Sequence, residues 1–217
     1  MLQGIARAGV IVTAVVALLP ASVSGQLAAR PAEDWIKMLD SPARIAGLRI
    51  DEVVAKLRLQ PGQVVADLGA GTGVFSLPMA KAVGARGKVY AVEVEQGLVD
   101  HIGLKAKAEH VPNVQAVLGK FSDPALPAAD VDVVFLHDVL HHIEDRTTYL
   151  ANAAKYLKPD GRFAVVELDP KTGAHRNDPK LQITREELRG WMAALGFHEA
   201  EEFPMFEDKW YVTYVRK

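Results

Sequence analysis

A glycine-rich loop is the first stretch of the chain whose residue types could do chemistry. It runs from Asp67 to Gly73 and reads DLGAGTG. Glycines let the backbone turn sharply and come close to a ligand. The helix expected after the loop would present free N–H groups to an anionic group on that ligand. The loop therefore predicts a site for a nucleoside with a charged tail, the simpler alternative being a turn that only joins strand to helix.

The residues around this loop restrict the kind of nucleoside. Glu93 ends the next expected strand, where a carboxylate can accept hydrogen bonds from two ribose hydroxyls. A dinucleotide-binding loop follows the pattern G-x-G-x-x-G, but here the third glycine, Gly73, comes one residue early and Val74 stands in its place. Asp67 has no role beside a pyrophosphate, whereas it can meet an ammonium group. These residues therefore disfavour a nicotinamide dinucleotide.

A histidine cluster is the second candidate for chemistry. The run His137-Asp138-Val139-Leu140-His141-His142 follows the fourth expected strand, at the edge where ligands bind in open α/β sheets. Three interpretations are open. A side chain acts as a base, with His142 and Asp138 as the candidates; the imidazoles and the carboxylate bind a metal ion; or the loop only shapes the pocket and caps the next helix. The third interpretation is favoured, and no metal is assigned.

Alternating strands and helices are expected to position these groups. Strands are predicted at 63–68, 88–93, 114–118, 131–136 and 161–167, and helices at 74–83, 95–109, 144–157 and 184–195. This alternation predicts an α/β protein in which helices cover both faces of a parallel sheet. The segments 197–203 and 209–215 are predicted to form a C-terminal antiparallel hairpin.

The chain before residue 62 is predicted to divide into two parts. Residues 1–25 have a basic start, an apolar run and a small-residue exit, the layout of a secretory signal peptide, and the run is too short for a stable membrane span. Export to the periplasm or the medium is expected, with a cytoplasmic or membrane-anchored protein as alternatives. Residues 26–61 are predicted to form a linker and a helical lid, in which a short helix around Trp35–Leu39 precedes a longer helix at 43–57. Residues 62–217 are predicted to form the main domain.

Composition excludes several classes of function. The formal net charge is −2, which gives no electrostatic footprint for nucleic acid. No nucleic-acid partner is therefore expected. The chain has no cysteine, so disulfides, thiol nucleophiles and thiolate metal sites are absent. The sequence predicts no oligomeric state.

Four motifs in order resemble those of class I S-adenosylmethionine-dependent methyltransferases: VVADLGAGTGVFSLPMA, VYAVEVEQGLV, DVVFLHDVLHHI and YLKPDGRFAVVELDP. They are most similar to the small-molecule group that includes ubiquinone- and menaquinone-biosynthesis enzymes. The resemblance implies a Rossmann-like, doubly wound, seven-stranded, mostly parallel sheet. It also implies S-adenosylmethionine as cofactor and methyl transfer to a small molecule. An exported, non-catalytic S-adenosylmethionine-binding module is the alternative.

The resemblance also implies roles for individual residues around the cofactor. Those expected to surround its methionine part are Asp67, Gly69, Gly71, Gly73, His137 and Asp138. Glu93 would hold the ribose and Val94 would pack on the adenine. Where the family often has an acidic residue after its third strand, this chain has Phe121 and Ser122, so Phe121 would stack on adenine and Ser122 or Asp123 would make the polar contact.

Three segments are candidates for the acceptor side of the site. They are the N-terminal piece with Trp35, Met38 and Arg44, the histidine loop, and the polar loop 169–181 with His175 and Arg176. A tryptophan suits a ring and the cationic groups suit an anion. Ordinary lid packing and solvated surface charge are the alternatives for these residues.

Overall fold

The N-terminal part of the computed structural model consists of three short helices. The structure describes residues 31–217, so the signal peptide predicted at 1–25 lies outside the described residues. The helices are α1 (Ala32–Leu39), α2 (Pro42–Gly47) and α3 (Ile50–Lys56). The prediction of one helix over 43–57 is wrong, because Arg49 adopts a left-handed conformation with φ of 49° and separates α2 from α3. Within 31–217, no helix has the length and apolar character needed to cross a membrane.

The rest of the chain alternates strands and helices as predicted. The strands are β1 (Val64–Leu68), β2 (Lys88–Glu93), β3 (Val114–Leu118), β4 (Val131–His137), β5 (Leu157–Leu168), β6 (Phe197–Glu202) and β7 (Lys209–Arg216). The helices are α4 (Ser76–Val83), α5 (Gln96–Ala108), α6 (Arg146–Ala154) and α7 (Arg185–Ala194). Two 3-10 turns, Leu140–His142 and Pro179–Leu181, lie in the loops.

One seven-stranded sheet with the order β3-β2-β1-β4-β5-β7-β6 organises residues 31–217. Strands β1 to β5 are parallel, whereas β7 pairs antiparallel with both β5 and β6. Alternate residues of β1 enter two separate apolar cores: Ala66 and Leu68 pack with α6 and α7, and Val65 packs with α3 and α4. Helices therefore cover both faces, and the predicted doubly wound fold with a C-terminal antiparallel hairpin is confirmed.

The lid helix α1 lies directly on α5 at a position that requires a small residue. A Cβ atom added at Gly97 would lie 2.5 Å from the Cβ of Ala32, closer than two such atoms can approach. Beyond α1, the carboxylate of Asp40 accepts a hydrogen bond from the hydroxyl of Thr72 in the glycine-rich loop. The lid is thus held both to α5 and to the loop.

We expect Gly97→Ala to displace α1 from α5. Overpacking of this kind costs about 1–3 kcal/mol. Gly103→Ala on the same helix is the matched control, because a Cβ there meets nothing within 4 Å. That variant should gain about 0.4–1 kcal/mol through lower chain entropy in the unfolded state. Thermal unfolding and the rate of tryptic cleavage at Lys37 are the measurements. Equal cleavage rates in the two variants would show that the α1–α5 contact does not hold the lid.

Candidate functional site

A cavity opens at the carboxyl edge of the sheet, between β1 and β4. The strand order changes direction at this point, because β2 lies on one side of β1 and β4 lies on the other. Ligands of open α/β sheets bind where the strand order changes direction. The cavity encloses about 1130 Å³, including solvent at its mouth. Its walls come from the glycine-rich loop, the end of β2, the histidine loop and the lid.

The glycine-rich loop needs its glycines for conformation and, at one position, for space. Gly69, Gly71 and Gly73 have φ angles of 74°, 60° and 76°, in the left-handed region that side chains disfavour. A Cβ at Gly69 would lie 2.3 Å from a methyl carbon of Val139 in the histidine loop. The loop after β1 and the loop after β4 are therefore in direct contact, and Gly69 makes that contact possible.

Asp67 is a buried carboxylate at the base of the cavity. It lies within β1 and is 2% exposed. Its Oδ2 accepts a hydrogen bond from the hydroxyl of Ser76, at 2.5 Å. Burial raises the pKa of Asp67 to about 7, and the Ser76 hydrogen bond only partly opposes that rise. The sequence analysis did not identify Ser76; a hydroxyl in the first turn of the helix after the loop is the signal that would have found it.

Glu93 stands at the end of β2 and faces the loop. Its Oε1 accepts a hydrogen bond from the backbone N–H of Gly71 at 2.6 Å, and its Oε2 accepts one from Val94 at 3.1 Å. Burial raises the pKa of Glu93 to about 7, although both hydrogen bonds lower it. The carboxylate therefore sits where the sequence predicts it, fixed by backbone donors at the cavity wall.

His137 and Asp138 bring unpartnered polar atoms to the opposite wall. The ring of His137 packs on Phe75 with centroids 4.6 Å apart, and burial lowers its pKa to about 4. Burial would raise the pKa of Asp138, but His137 and an ion pair with Lys209 outweigh it, so this pKa is lowered. In the described part of the chain, no hydrogen bond reaches either nitrogen of His137 or Oδ1 of Asp138, although Nδ1 of His137 lies 3.3 Å from Oδ2 of Asp138. These atoms can serve the polar end of a bound ligand.

The predicted base candidates have different surroundings. His142 lines the cavity, and burial, followed by the nearby His141 and His175, lowers its pKa to about 4. Its imidazole is therefore neutral at pH 7. Asp138 also lines the cavity, but its ion pair with Lys209 makes it a poor proton acceptor. Lys209 was missed by the sequence analysis because only the antiparallel direction of β7 brings it to this edge.

Some of the other residues predicted for the site line the cavity, and others do not. Val94, Phe121, Trp35 and Arg44 line the cavity. The residues that are not part of its lining are Gly73, Ser122, Met38, His175 and Arg176. Ser122 is exposed, and its carbonyl accepts a hydrogen bond from the amide of Asn152 at 2.8 Å. Ser122 therefore lies outside this wall, and the carboxylate of Asp123 accepts a hydrogen bond from the hydroxyl of Tyr156.

The fold and this site together define a class of protein, the S-adenosylmethionine-dependent methyltransferases. Residues 66–165 match the family model described as a methyltransferase domain, and this part of the chain is a class I domain of that family. The predictions of fold, family and cofactor are thereby confirmed. The orphaned atoms of His137 and Asp138 and the carboxylate of Glu93 fit the polar groups of this cofactor.

Individual relatives support the same assignment. Nocamycin O-methyltransferase from Saccharothrix syringae is 31% identical over 49% of this chain and 38% of its own length. A demethylmenaquinone methyltransferase from Geobacillus stearothermophilus is 26% identical over 56% of this chain and 52% of its own. The chain thus spans about half or less of these curated relatives. A solved structure of a methyltransferase from Aquifex aeolicus shares the fold with a TM-score of 0.77 at 22% identity, covering 87% of this chain and all of that one.

Proposed function

We propose that the protein transfers a methyl group from S-adenosylmethionine to a small-molecule acceptor. The observation that carries the proposal is the carboxylate of Glu93, held by the backbone of Gly71 inside the cavity at the edge of β1 and β4. A carboxylate in this place accepts the two ribose hydroxyls of a nucleoside cofactor. The match of residues 66–165 to a methyltransferase domain favours this cofactor over other nucleosides.

The side chains of the cavity divide into groups that bind and groups that orient. Glu93 would bind the ribose, and the buried carboxylate of Asp67 would meet the amino acid end of the cofactor. When bound, the cofactor supplies a methyl group already activated by its sulfonium, so the protein must mainly align the acceptor and exclude water. His142 is the base candidate at the wall, because its imidazole is unprotonated at pH 7 and lines the cavity; its pKa of about 4 makes it a weak base for the proton that an acceptor hydroxyl or amine loses.

An oxygen-bearing ring compound is the acceptor class that we propose. The wall on the lid side carries Trp35 and Leu39, and Phe121 and Ile143 add apolar surface from other loops. Apolar and aromatic side chains with a few polar groups are typical of sites for small organic ligands. The names of the two relatives, an O-methyltransferase and a demethylmenaquinone methyltransferase, point to the same kind of acceptor.

Methyl transfer can be tested with labelled S-adenosylmethionine and a panel of phenols, catechols and reduced naphthoquinones. We expect calorimetry to show cofactor binding and mass spectrometry to show a methylated product. Absence of binding by both S-adenosylmethionine and S-adenosylhomocysteine would refute the proposal. Binding without transfer to any acceptor in the panel would favour the non-catalytic module over the enzyme.

Cofactor affinity should depend on pH near neutrality. In the ligand-free protein the pKa values of Asp67 and Glu93 are both about 7, above their ordinary values of 3.8 and 4.5. The folded state therefore binds more protons than the unfolded state between about pH 4 and 7, and these two groups reduce stability as pH rises through that window. An ammonium group and ribose hydroxyls favour the ionised carboxylates. The thermal shift caused by S-adenosylmethionine should accordingly be larger at pH 8 than at pH 6; an equal shift would contradict this assignment.

We further propose that the protein is exported, on the strength of the signal-peptide layout of residues 1–25. A reporter enzyme that works only outside the cytoplasm, fused after residue 30, tests this. The reporter should be active when residues 1–30 precede it and silent when these residues are removed. A silent reporter in the fusion that carries residues 1–30 would indicate a cytoplasmic protein.

A further inference from the structure

Three histidines meet beside the cavity, at the junction of two loops. His141 and His142 belong to the 3-10 turn after β4, and His175 belongs to the loop 169–181 after β5. One ring nitrogen of each histidine lies within 4.8 Å of those of the other two. The ring centroid of His141 is 4.0 Å from that of His142 and 5.0 Å from that of His175. Because His175 is remote in sequence, the tertiary fold creates this cluster.

A buried carboxylate fixes one of the three rings. The Nδ1 atom of His141 lies 2.6 Å from Oε1 of Glu167, which is 1% exposed. Backbone N–H groups of Leu168 and His141 donate to the same carboxylate at 2.8 and 3.3 Å. A carboxylate that accepts the proton of one ring nitrogen, leaving the other for a metal ion, is a recurrent arrangement behind metal-binding histidines. It leaves Nε2 of His141 as the nitrogen available to an ion.

Hydrogen bonds also hold the two loops that carry the histidines. The guanidinium of Arg146 donates to the carbonyl of Leu140 at 3.1 Å and to that of Lys180 at 3.0 Å, which joins the two 3-10 turns. The amide of Gln182 donates to the carbonyl of His175 at 3.3 Å. These hydrogen bonds support the backbone on both sides of the cluster.

We propose that His141, His142 and His175 bind a divalent transition-metal ion such as Zn²⁺. Imidazole nitrogen is a preferred ligand of zinc, copper, iron and nickel. Nitrogens about 2.0–2.1 Å from a tetrahedral ion are about 3.4 Å apart. Rotations that move the nitrogens of His142 and His175 by about an ångström therefore complete the site around the fixed His141.

The position of the site relates it to the cavity. His142 lines the cavity, so an ion that it binds lies at the cavity wall. Three protein ligands leave a fourth position for water or for an oxygen of a small molecule. The metal-bound form is then an alternative to the use of His142 as a free base, because the coordinated nitrogen has no lone pair to offer.

Metal binding can be measured on tag-free, chelator-treated protein without S-adenosylmethionine. Residues 1–30 contain no histidine and the chain no cysteine, so background sites are few. We expect Zn²⁺ titration by calorimetry and Co²⁺ titration by visible absorption to give one ion per chain. His175→Ala and His142→Ala should each weaken binding at least about tenfold, and Glu167→Gln by about 10–100-fold.

The matched control is His198→Ala, which removes an exposed imidazole on β6. Its metal affinity should equal that of the unmodified protein, and circular dichroism should show that all variants are folded. Lack of saturable binding in the unmodified protein, or equal affinity in the unmodified protein and in His175→Ala, would overturn the proposal. Either result would leave methyl transfer untouched, since cofactor binding and turnover are measured separately.

Discussion

The Glu93→Ala variant is expected to bind S-adenosylmethionine at least about 100-fold more weakly than the unmodified protein. A hydrogen bond to a charged group contributes about 1.5–3 kcal/mol, and the substitution removes the acceptor for both ribose hydroxyls. A factor of ten in affinity corresponds to about 1.4 kcal/mol. The backbone N–H groups of Gly71 and Val94 also lose their acceptor, so the loop loses part of its support in the ligand-free protein. Calorimetry with S-adenosylmethionine and S-adenosylhomocysteine is the measurement.

Two further variants separate binding from structure. Glu93→Gln keeps a carbonyl oxygen but cannot ionise, so its affinity should be intermediate and its pH dependence reduced. Glu109→Ala removes an exposed carboxylate that pairs with Lys81 at 3.1 Å and does not line the cavity. This variant should bind the cofactor with the affinity of the unmodified protein. If Glu93→Ala kept an affinity within threefold of the unmodified protein, Glu93 would not be the ribose ligand.

Replacing Gly69 by alanine is expected to produce the second large effect, a loss of about 2–5 kcal/mol in the free energy of unfolding. Gly69 has a φ of 74°, and a residue with a side chain in this left-handed conformation loses about 1–2 kcal/mol of stability. The added Cβ would also lie 2.3 Å from a methyl carbon of Val139, and overpacking adds about 1–3 kcal/mol. Since Val139 follows His137 and Asp138, any shift that relieves the clash moves the wall of the cavity. Cofactor affinity should therefore fall together with stability.

A matched glycine isolates the two contributions. Gly196 has a φ of 81°, and a Cβ added there meets nothing within 4 Å, so Gly196→Ala should show the conformational cost alone. Adding Val139→Ala to Gly69→Ala removes the closest methyl carbon and should recover part of the lost stability, seen as a favourable coupling energy in the double-mutant cycle. Chemical denaturation is the measurement. Equal losses in Gly69→Ala and Gly196→Ala would mean that Val139 yields without cost.

The parts of the fold that follow from local chemistry were predictable from the sequence. Apolar runs bounded by glycine and proline located the strands, and the order of Asp67, the glycines and Glu93 located the cofactor site. The break between α2 and α3 was not predictable, because the apolar pattern continues through Arg49 while its backbone takes a left-handed conformation. Local patterns report helix tendency, and the packing against the sheet decides where the helix ends.

The missing parts of the site depend on contacts between distant segments. Lys209 reaches Asp138 across 71 positions in sequence, and Glu167 reaches His141 across 26. No spacing rule connects such pairs. The histidine run indicated a site, but only the folded loop 169–181 adds His175 to it. Ser122 shows the opposite case, since a residue assigned to the site by its position in the sequence is exposed and lies outside the cavity lining.

The antiparallel direction of β7 also sets when the site is complete during folding. Parallel strands bring their last residues to the cofactor edge, whereas β7 brings its first residue, Lys209, next to Asp138. Contacts between residues far apart in sequence form late, since the chain entropy lost in closing a long loop must be overcome first. During synthesis, β1 to β5 can leave the ribosome and begin to pair while Asp138 still lacks its cation. The charge balance of the cofactor edge is therefore established only after residue 209 has emerged.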